Sequence, residues 1–147
     1  GYERVEVDPA ARFIGTMNYG YAGTRELNEA LTSRFVVIQM PSIDQDGLVR
    51  LLSDEFPTLE KKYKEQFAQL FLDLQKKCKN AEISEKALDL RGLLDALRLI
   101  RRGVGASRAL DMGITNKALD SYEQSLIRDV IAARIPAKLD RSRLFTD

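Results

Sequence analysis

Thr16-Met17-Asn18-Tyr19-Gly20-Tyr21-Ala22-Gly23-Thr24-Arg25-Glu26-Leu27-Asn28-Glu29-Ala30-Leu31-Thr32-Ser33-Arg34-Phe35 is the stretch that decides how the chain is read. It opens on the end of a short apolar run, Phe13-Ile14-Gly15-Thr16-Met17, which stops at the amide of Asn18. A loop punctuated by Gly20 and Gly23 follows, then a short polar helix, then Ser33-Arg34-Phe35 leading into a second apolar run, Val36-Val37-Ile38. An asparagine at the carboxyl end of a buried strand lies at the edge of an open α/β sheet, where ligands bind. Its amide both donates and accepts, so it can hold a water and a phosphate oxygen together. Arginine carries a permanent charge on a planar fork of donors, which suits it to stabilising a transferring phosphoryl group. Two plainer readings stand beside these. Asn18 can simply open a turn, and Arg34 can pair with Glu26 or Glu29 on the surface.

The order of these parts resembles the second half of an AAA+ ATPase core, in particular that of the MoxR-type ATPases and their NorQ/CbbQ relatives. In that family a strand ending in T-x-N, here Thr16-Met17-Asn18, carries the sensor 1 asparagine. The R-F before the next strand, here Arg34-Phe35, carries the arginine finger. The resemblance is sharp over roughly residues 10–40 and loose over the helical remainder. It implies Asn18 and Arg34 as catalytic residues. The lids of such ATPases also resemble the segment from Leu90 to Arg102, and place a sensor 2 arginine at such a helix start, which implies Arg91 as a nucleotide contact. The plainer reading of Arg91 is a solvated pair with Asp95 one turn on, worth about 0.2–0.5 kcal/mol. The resemblance further implies ATP and magnesium as cofactors of a longer parent protein, assembly of that parent into a ring, and a client protein that it remodels.

Outward from this stretch, Glu3-Arg4-Val5-Glu6-Val7 alternates polar and apolar residues and predicts a short half-buried strand or arm. Asp8-Pro9-Ala10-Ala11 reads as a turn, Arg12 to Met17 as a buried strand, and Val36-Val37-Ile38 as another, stopped by Pro41. Thr24 is a candidate cap for the helix between them, with Leu27, Ala30 and Leu31 on its buried face. Two strands and one short helix do not make a doubly wound sheet. The expectation is therefore the C-terminal remnant of an α/β nucleotide-binding core over 1–40.

From Ser42 the texture becomes amphipathic helix. Asp44 predicts a cap for a helix over 45–54, and Pro57-Thr58 restarts the chain. A long helix over 59–79 carries Leu59, Tyr63, Phe67, Leu70, Phe71, Leu74 and Cys78 on one stripe. Ser84 can cap a short turn, and Asp89 a helix through about Arg102, with Leu90, Leu93, Leu94, Leu97 and Ile100 inward. A short helix near 106–111 follows Gly103 and Gly105. A last helix over 116–133, capped by Thr115 or Asn116, is expected to pack through Leu119, Tyr122, Leu126, Val130 and Ile131. The fold class expected is thus mostly α: a helical lid domain over 41–136, preceded by two or three strands and followed by a mobile polar tail, 137–147.

Composition narrows the function. The 147 residues carry 23 basic and 22 acidic side chains, which gives no general drive toward nucleic acid or membrane. The absence of histidine removes Ser-His-Asp and Cys-His catalysis and histidine metal sites. Cys78 is alone, lies on an apolar stripe and reads as a small buried hydrophobe. No run approaches the ~20 apolar residues of a membrane helix, and a cytoplasmic setting is expected. Leu51-Leu52-Ser53-Asp54-Glu55 imitates a Walker B strand, but Arg50 interrupts the run and its apolar spacing is helical. No G-x-x-x-x-G-K-[ST] occurs in the chain, so it lacks the backbone cradle and lysine of a phosphate site. The expectation is an inactive fragment of an ATPase, holding no cofactor of its own. The alternative is a helical protein- or nucleic-acid-binding module using Arg98, Arg101, Arg102 and Arg108. The interspersed acids and the lack of a stacking aromatic argue against nucleic acid.

Overall fold

The computed structural model describes residues 2–17 and 28–147, which divide into two units, Gly1–Met40 and Pro41–Asp147. The second unit is built of helices, and some of their beginnings are written in the sequence. Helix α2, Gln45–Glu55, starts where Asp44 Oδ1 accepts from the Gly47 amide at 2.8 Å, and buries Leu48 and Leu52. Helix α3, Lys61–Lys79, lays Phe67, Leu70, Phe71 and Leu74 into the core. It begins two residues later than the periodicity predicts, because Leu59 is drawn into an antiparallel bridge with Phe145. Cys78 sits half-buried against this core. Burial, and then the carboxylates of Glu85 and Glu123, push its thiol up to about 11, so it is an inert packing group.

A 3₁₀ turn, Glu85–Ala87, leads to α4, Leu90–Arg101. Leu93, Ala96, Leu97 and Ile100 recur on one face of α4 and are fully buried. The helix stops at Gly103, whose φ of +101° is the left-handed conformation that glycine adopts without steric cost. The Gly103 amide donates to Ile100 O at 2.8 Å and the Val104 amide to Leu99 O at 3.0 Å, the paired bonds of a Schellman stop. Helix α5, Ala106–Gly113, then packs back on α4. The two helices meet at Gly92 and Gly113. A Cβ on Gly92 would collide with the Gly113 carbonyl oxygen, and one on Gly113 with the Gly92 carbonyl oxygen. This crossing exists because neither position carries a side chain.

The final long helix corrects the sequence expectation. Thr115–Lys117 is a 3₁₀ turn, and Asp120 rather than Thr115 or Asn116 caps α6, Ser121–Arg134, accepting from the Glu123 amide at 2.9 Å. The shorter helix buries Ile127 and Ile131 and half-buries Leu126 and Val130. Leu119 and Tyr122, expected inward, are 85% and 71% exposed. Residues 137–147, expected as a mobile polar tail, are part of the packed unit. They include helix α7, Arg141–Leu144, and bury Leu139, Leu144 and Phe145.

In the first unit the turn at Asp8 forms as expected, with the Ala11 amide donating to Asp8 O at 2.9 Å and the Ala10 amide to Asp8 Oδ1 at 2.7 Å. Helix α1, Glu29–Thr32, is capped by Asn28, whose Oδ1 accepts from the Ala30 amide. Ala30, expected on a buried face, is exposed, while Thr24 and Leu27 lie outside the described residues. The strand expectation is not met. Among the described residues no strand forms over 3–7, 12–17 or 36–38, and Phe13, Ile14, Val36, Val37 and Ile38 are exposed. The physical reason is that a strand's amides and carbonyls are satisfied only by neighbouring strands. Apolar runs of this kind are buried only when layers cover both faces. The described residues supply neither.

The α4–α5 crossing makes a sharp prediction. Gly92→Ala and Gly113→Ala should each lower the unfolding free energy by about 1–3 kcal/mol or more, the scale of forced overpacking. Gly105→Ser, at a position where a Cβ meets nothing within 4 Å, should leave it within about 0.5 kcal/mol. Urea denaturation of the three variants checks this.

Candidate functional site

The sequence singles out three residues, and they fall on different parts of the chain. Asn18 lies outside the described residues. Arg34 belongs to the first unit, in the turn that follows α1. That turn is tied by the Ser33 amide to Glu29 O at 3.0 Å and by the Phe35 amide to Thr32 O at 3.2 Å. The Arg34 side chain is exposed, and among the described residues no carboxylate pairs with it; Glu29, one of its two expected surface partners, does not. The other, Glu26, lies outside the described residues. An exposed, always-charged guanidinium on a short turn is chemically fit to meet an anion held by another chain.

Arg91 belongs to the second unit, in the first turn of α4, with its side chain exposed. The surface pair with Asp95 does not form; Asp95 instead accepts from Arg98 at 2.8 Å, and Arg98 also reaches Glu55 at 2.9 Å. What organises this end of α4 is Asp89. Its Oδ1 accepts from the Arg91 amide at 2.9 Å, capping the helix, and its Oδ2 takes the ammonium of Lys117. Partial burial alone would raise the Asp89 carboxyl. The Lys117 ammonium and the Gly92 and Arg91 amides outweigh it and hold the carboxyl below its ordinary value. Arg91 and Lys117 thus stand as two cations at the positive end of a helix, one exposed and one committed to a carboxylate. Sequence reasoning missed Lys117. It lies 28 residues from Asp89 in a 3₁₀ turn, and no spacing rule joins the two.

The arginines of the alternative reading are divided. Arg98 and Arg101 are engaged, Arg101 with Asp147 at 2.6 Å, while Arg102 and Arg108 are exposed. Two shallow surface depressions occur in the second unit. One is lined by Asp73, Lys76, Lys77, Asn80, Glu82 and Val130, the other by Gly103, Asp140, Arg141, Ser142 and Asp147. Both mix charges of either sign. Among the described residues no group of three or more histidine, cysteine, aspartate or glutamate side chains is placed to hold a metal ion. No described helix is long and apolar enough to cross a membrane.

The chain is similar to longer bacterial proteins. It is 34% identical over 117 residues to the uncharacterized protein YojN of Bacillus subtilis (strain 168), a match covering 80% of this chain and 38% of that protein. It is 35% identical over 129 residues to an uncharacterized protein of Staphylococcus aureus (strain NCTC 8325 / PS 47), covering 88% of this chain and 49% of the relative. The chain therefore spans about half the length, or less, of the curated relatives it matches. No family model matches the chain, and no solved structure does.

The Asp89 arrangement has a pH signature. A carboxyl whose folded pKa is depressed contributes stability at pH above its unfolded value, 3.8, and that contribution is lost as pH falls through the folded value. An NMR titration should place Asp89 below 3.8 in the folded chain and move it upward in Lys117→Gln. Asp89→Ala should cost about 1 kcal/mol at pH 7, the usual worth of an N-cap.

Proposed function

We propose that this chain is the C-terminal portion of an AAA+ ATPase of the MoxR or NorQ/CbbQ type, which couples ATP binding and hydrolysis to remodelling of a partner protein. In this reading residues 1–40 complete the α/β core and the helical unit from Pro41 onward is the lid. The observation that carries the reading is the order Thr16-Met17-Asn18, glycine loop, short helix, Ser33-Arg34-Phe35, with Arg34 exposed in the turn behind α1. The helical character of the second unit and the greater length of the relatives are in keeping with it.

The residues present, each in its own unit, suit contacts to a nucleotide's phosphates rather than its cradle. Two exposed guanidiniums, Arg34 and Arg91, suit phosphate charge. The sequence holds no G-x-x-x-x-G-K-[ST], and among the described residues no acid cluster suits magnesium. When bound, ATP would supply the phosphoryl group and its leaving nucleotide, and magnesium would neutralise charge on the phosphates. Arg34 would bring its charge to the γ-phosphate held by a neighbouring subunit of a ring. Asn18 would orient the attacking water within its own subunit, and Arg91 would link the nucleotide to the lid. The strandless exposed runs of the first unit are, in the same reading, the strands that a complete core would pair and cover.

Four outcomes follow. The purified chain alone should show no magnesium-dependent ATP turnover. In the longer protein, Arg34→Ala should leave nucleotide binding nearly intact and lower turnover by about 10³-fold or more, the scale on which arginine fingers act. Arg91→Ala should weaken binding and turnover together. Mixing Arg34→Ala subunits with subunits lacking the P-loop lysine should restore part of the activity. Failure to do so in rings shown to mix would rule out action across the subunit boundary.

A further inference from the structure

Helices α2, α4, α6 and α7 each begin with an aspartate whose carboxylate accepts a backbone amide of the first turn: Asp44, Asp89, Asp120 and Asp140. Helices α3 and α5 do not. Glu60 and Gly105 stand at their N-caps, and neither makes a side-chain capping bond. The amides exposed at a helix start must find acceptors elsewhere. At both of these helices the acceptor comes from the same segment. The Glu60 amide donates to Leu144 O at 2.9 Å, and the Ala106 amide to Leu139 O at 3.1 Å.

We propose that residues 139–147 cap α3 and α5 in place of side chains, and so form a clasp that closes the α2–α3 linker and the α4–α5 turn as one opening unit. Its grip on the linker is continuous. The Thr146 amide donates to Thr58 O at 2.9 Å, Phe145 pairs with Leu59, and the Phe145 ring meets Phe56 edge-on at 6.3 Å. Its grip on the turn runs through Arg101, which donates to Asp147 at 2.6 Å from the last residue of α4. Three apolar anchors, Leu139, Leu144 and Phe145, hold the segment in the core. A short segment joined to the rest by a few backbone bonds and a few buried side chains is the kind of element that opens before the whole unit does. Here its release would uncap two helices at once. The inference concerns the helical unit alone and is independent of the ATPase reading.

Native-state hydrogen exchange on the full chain tests it. In the unaltered protein the amides of Glu60, Ala106 and Thr146 should exchange through one shared opening, faster than the core amides of α4. Phe145→Leu should accelerate all three together by about tenfold, the scale of a small core contraction. Arg101→Gln, which leaves the core untouched, should accelerate the same three by up to about fivefold, the range of an exposed ion pair. Acceleration at Thr146 with Glu60 and Ala106 unchanged would overturn the clasp. So would exchange of all three amides at the rate of the α4 core.

Discussion

The helical unit depends on how closely α4 and α5 can approach. Gly92 and Gly113 let two backbones meet where any Cβ would overlap a carbonyl oxygen. The same absence of a side chain does a second service. The Lys117 ammonium lies 2.7 Å from where a Cβ on Gly92 would stand, so the glycine also clears the path by which Lys117 reaches Asp89. Asp89 in turn caps α4 and fixes the first turn from which Arg91 projects. Helix contact, helix start and presentation of the candidate arginine are therefore linked through one backbone contact. Around it, Leu93, Leu97 and Ile100 of α4, Leu110 of α5 and Phe67, Leu70 and Leu74 of α3 close a core with no exposure at all. Each such side chain contributes about 1.5–3 kcal/mol on burial.

Local signals were legible where the chemistry is local. Asp44 and Asp89 cap the helices that their positions announce, and the stop at Gly103 follows from its freedom to take positive φ. The long stripe of α3 and the inward face of α4 follow from spacing alone. The sequence misled where two local signals compete or where the deciding contact is distant. Asp120 wins over Thr115 as a cap, which shortens α6 and leaves Leu119 and Tyr122 outside. Residues 137–147 look polar in sequence, yet three apolar side chains, Leu139, Leu144 and Phe145, suffice to seat them. Their acceptors, Thr58 O for Thr146 among them, lie as far as 88 residues away.

The first unit teaches the complementary lesson. Apolar runs such as Val36-Val37-Ile38 have strand composition, but a strand is a relation between chains and not a property of one. Without neighbours on which to pair, these residues form no strand and stay exposed among the described residues. The candidate residues have the same character. Arg34 and Arg91 are visible in sequence because they sit at recognisable positions, a turn before an apolar run and the first turn of a capped helix. Their chemistry, a fixed positive charge offered outward, needs an anion, and the sequence holds no G-x-x-x-x-G-K-[ST] to cradle a phosphate.

The measurement that bears most directly on Arg34 is a structure of the longer protein, assembled with magnesium and a non-hydrolysable ATP analogue. The expected result places the Arg34 guanidinium within hydrogen-bonding distance, about 2.7–3.2 Å, of a γ-phosphate oxygen bound by the adjacent subunit. Arg34 held by a carboxylate of its own subunit, or pointing to solvent with the nucleotide site filled, would contradict it.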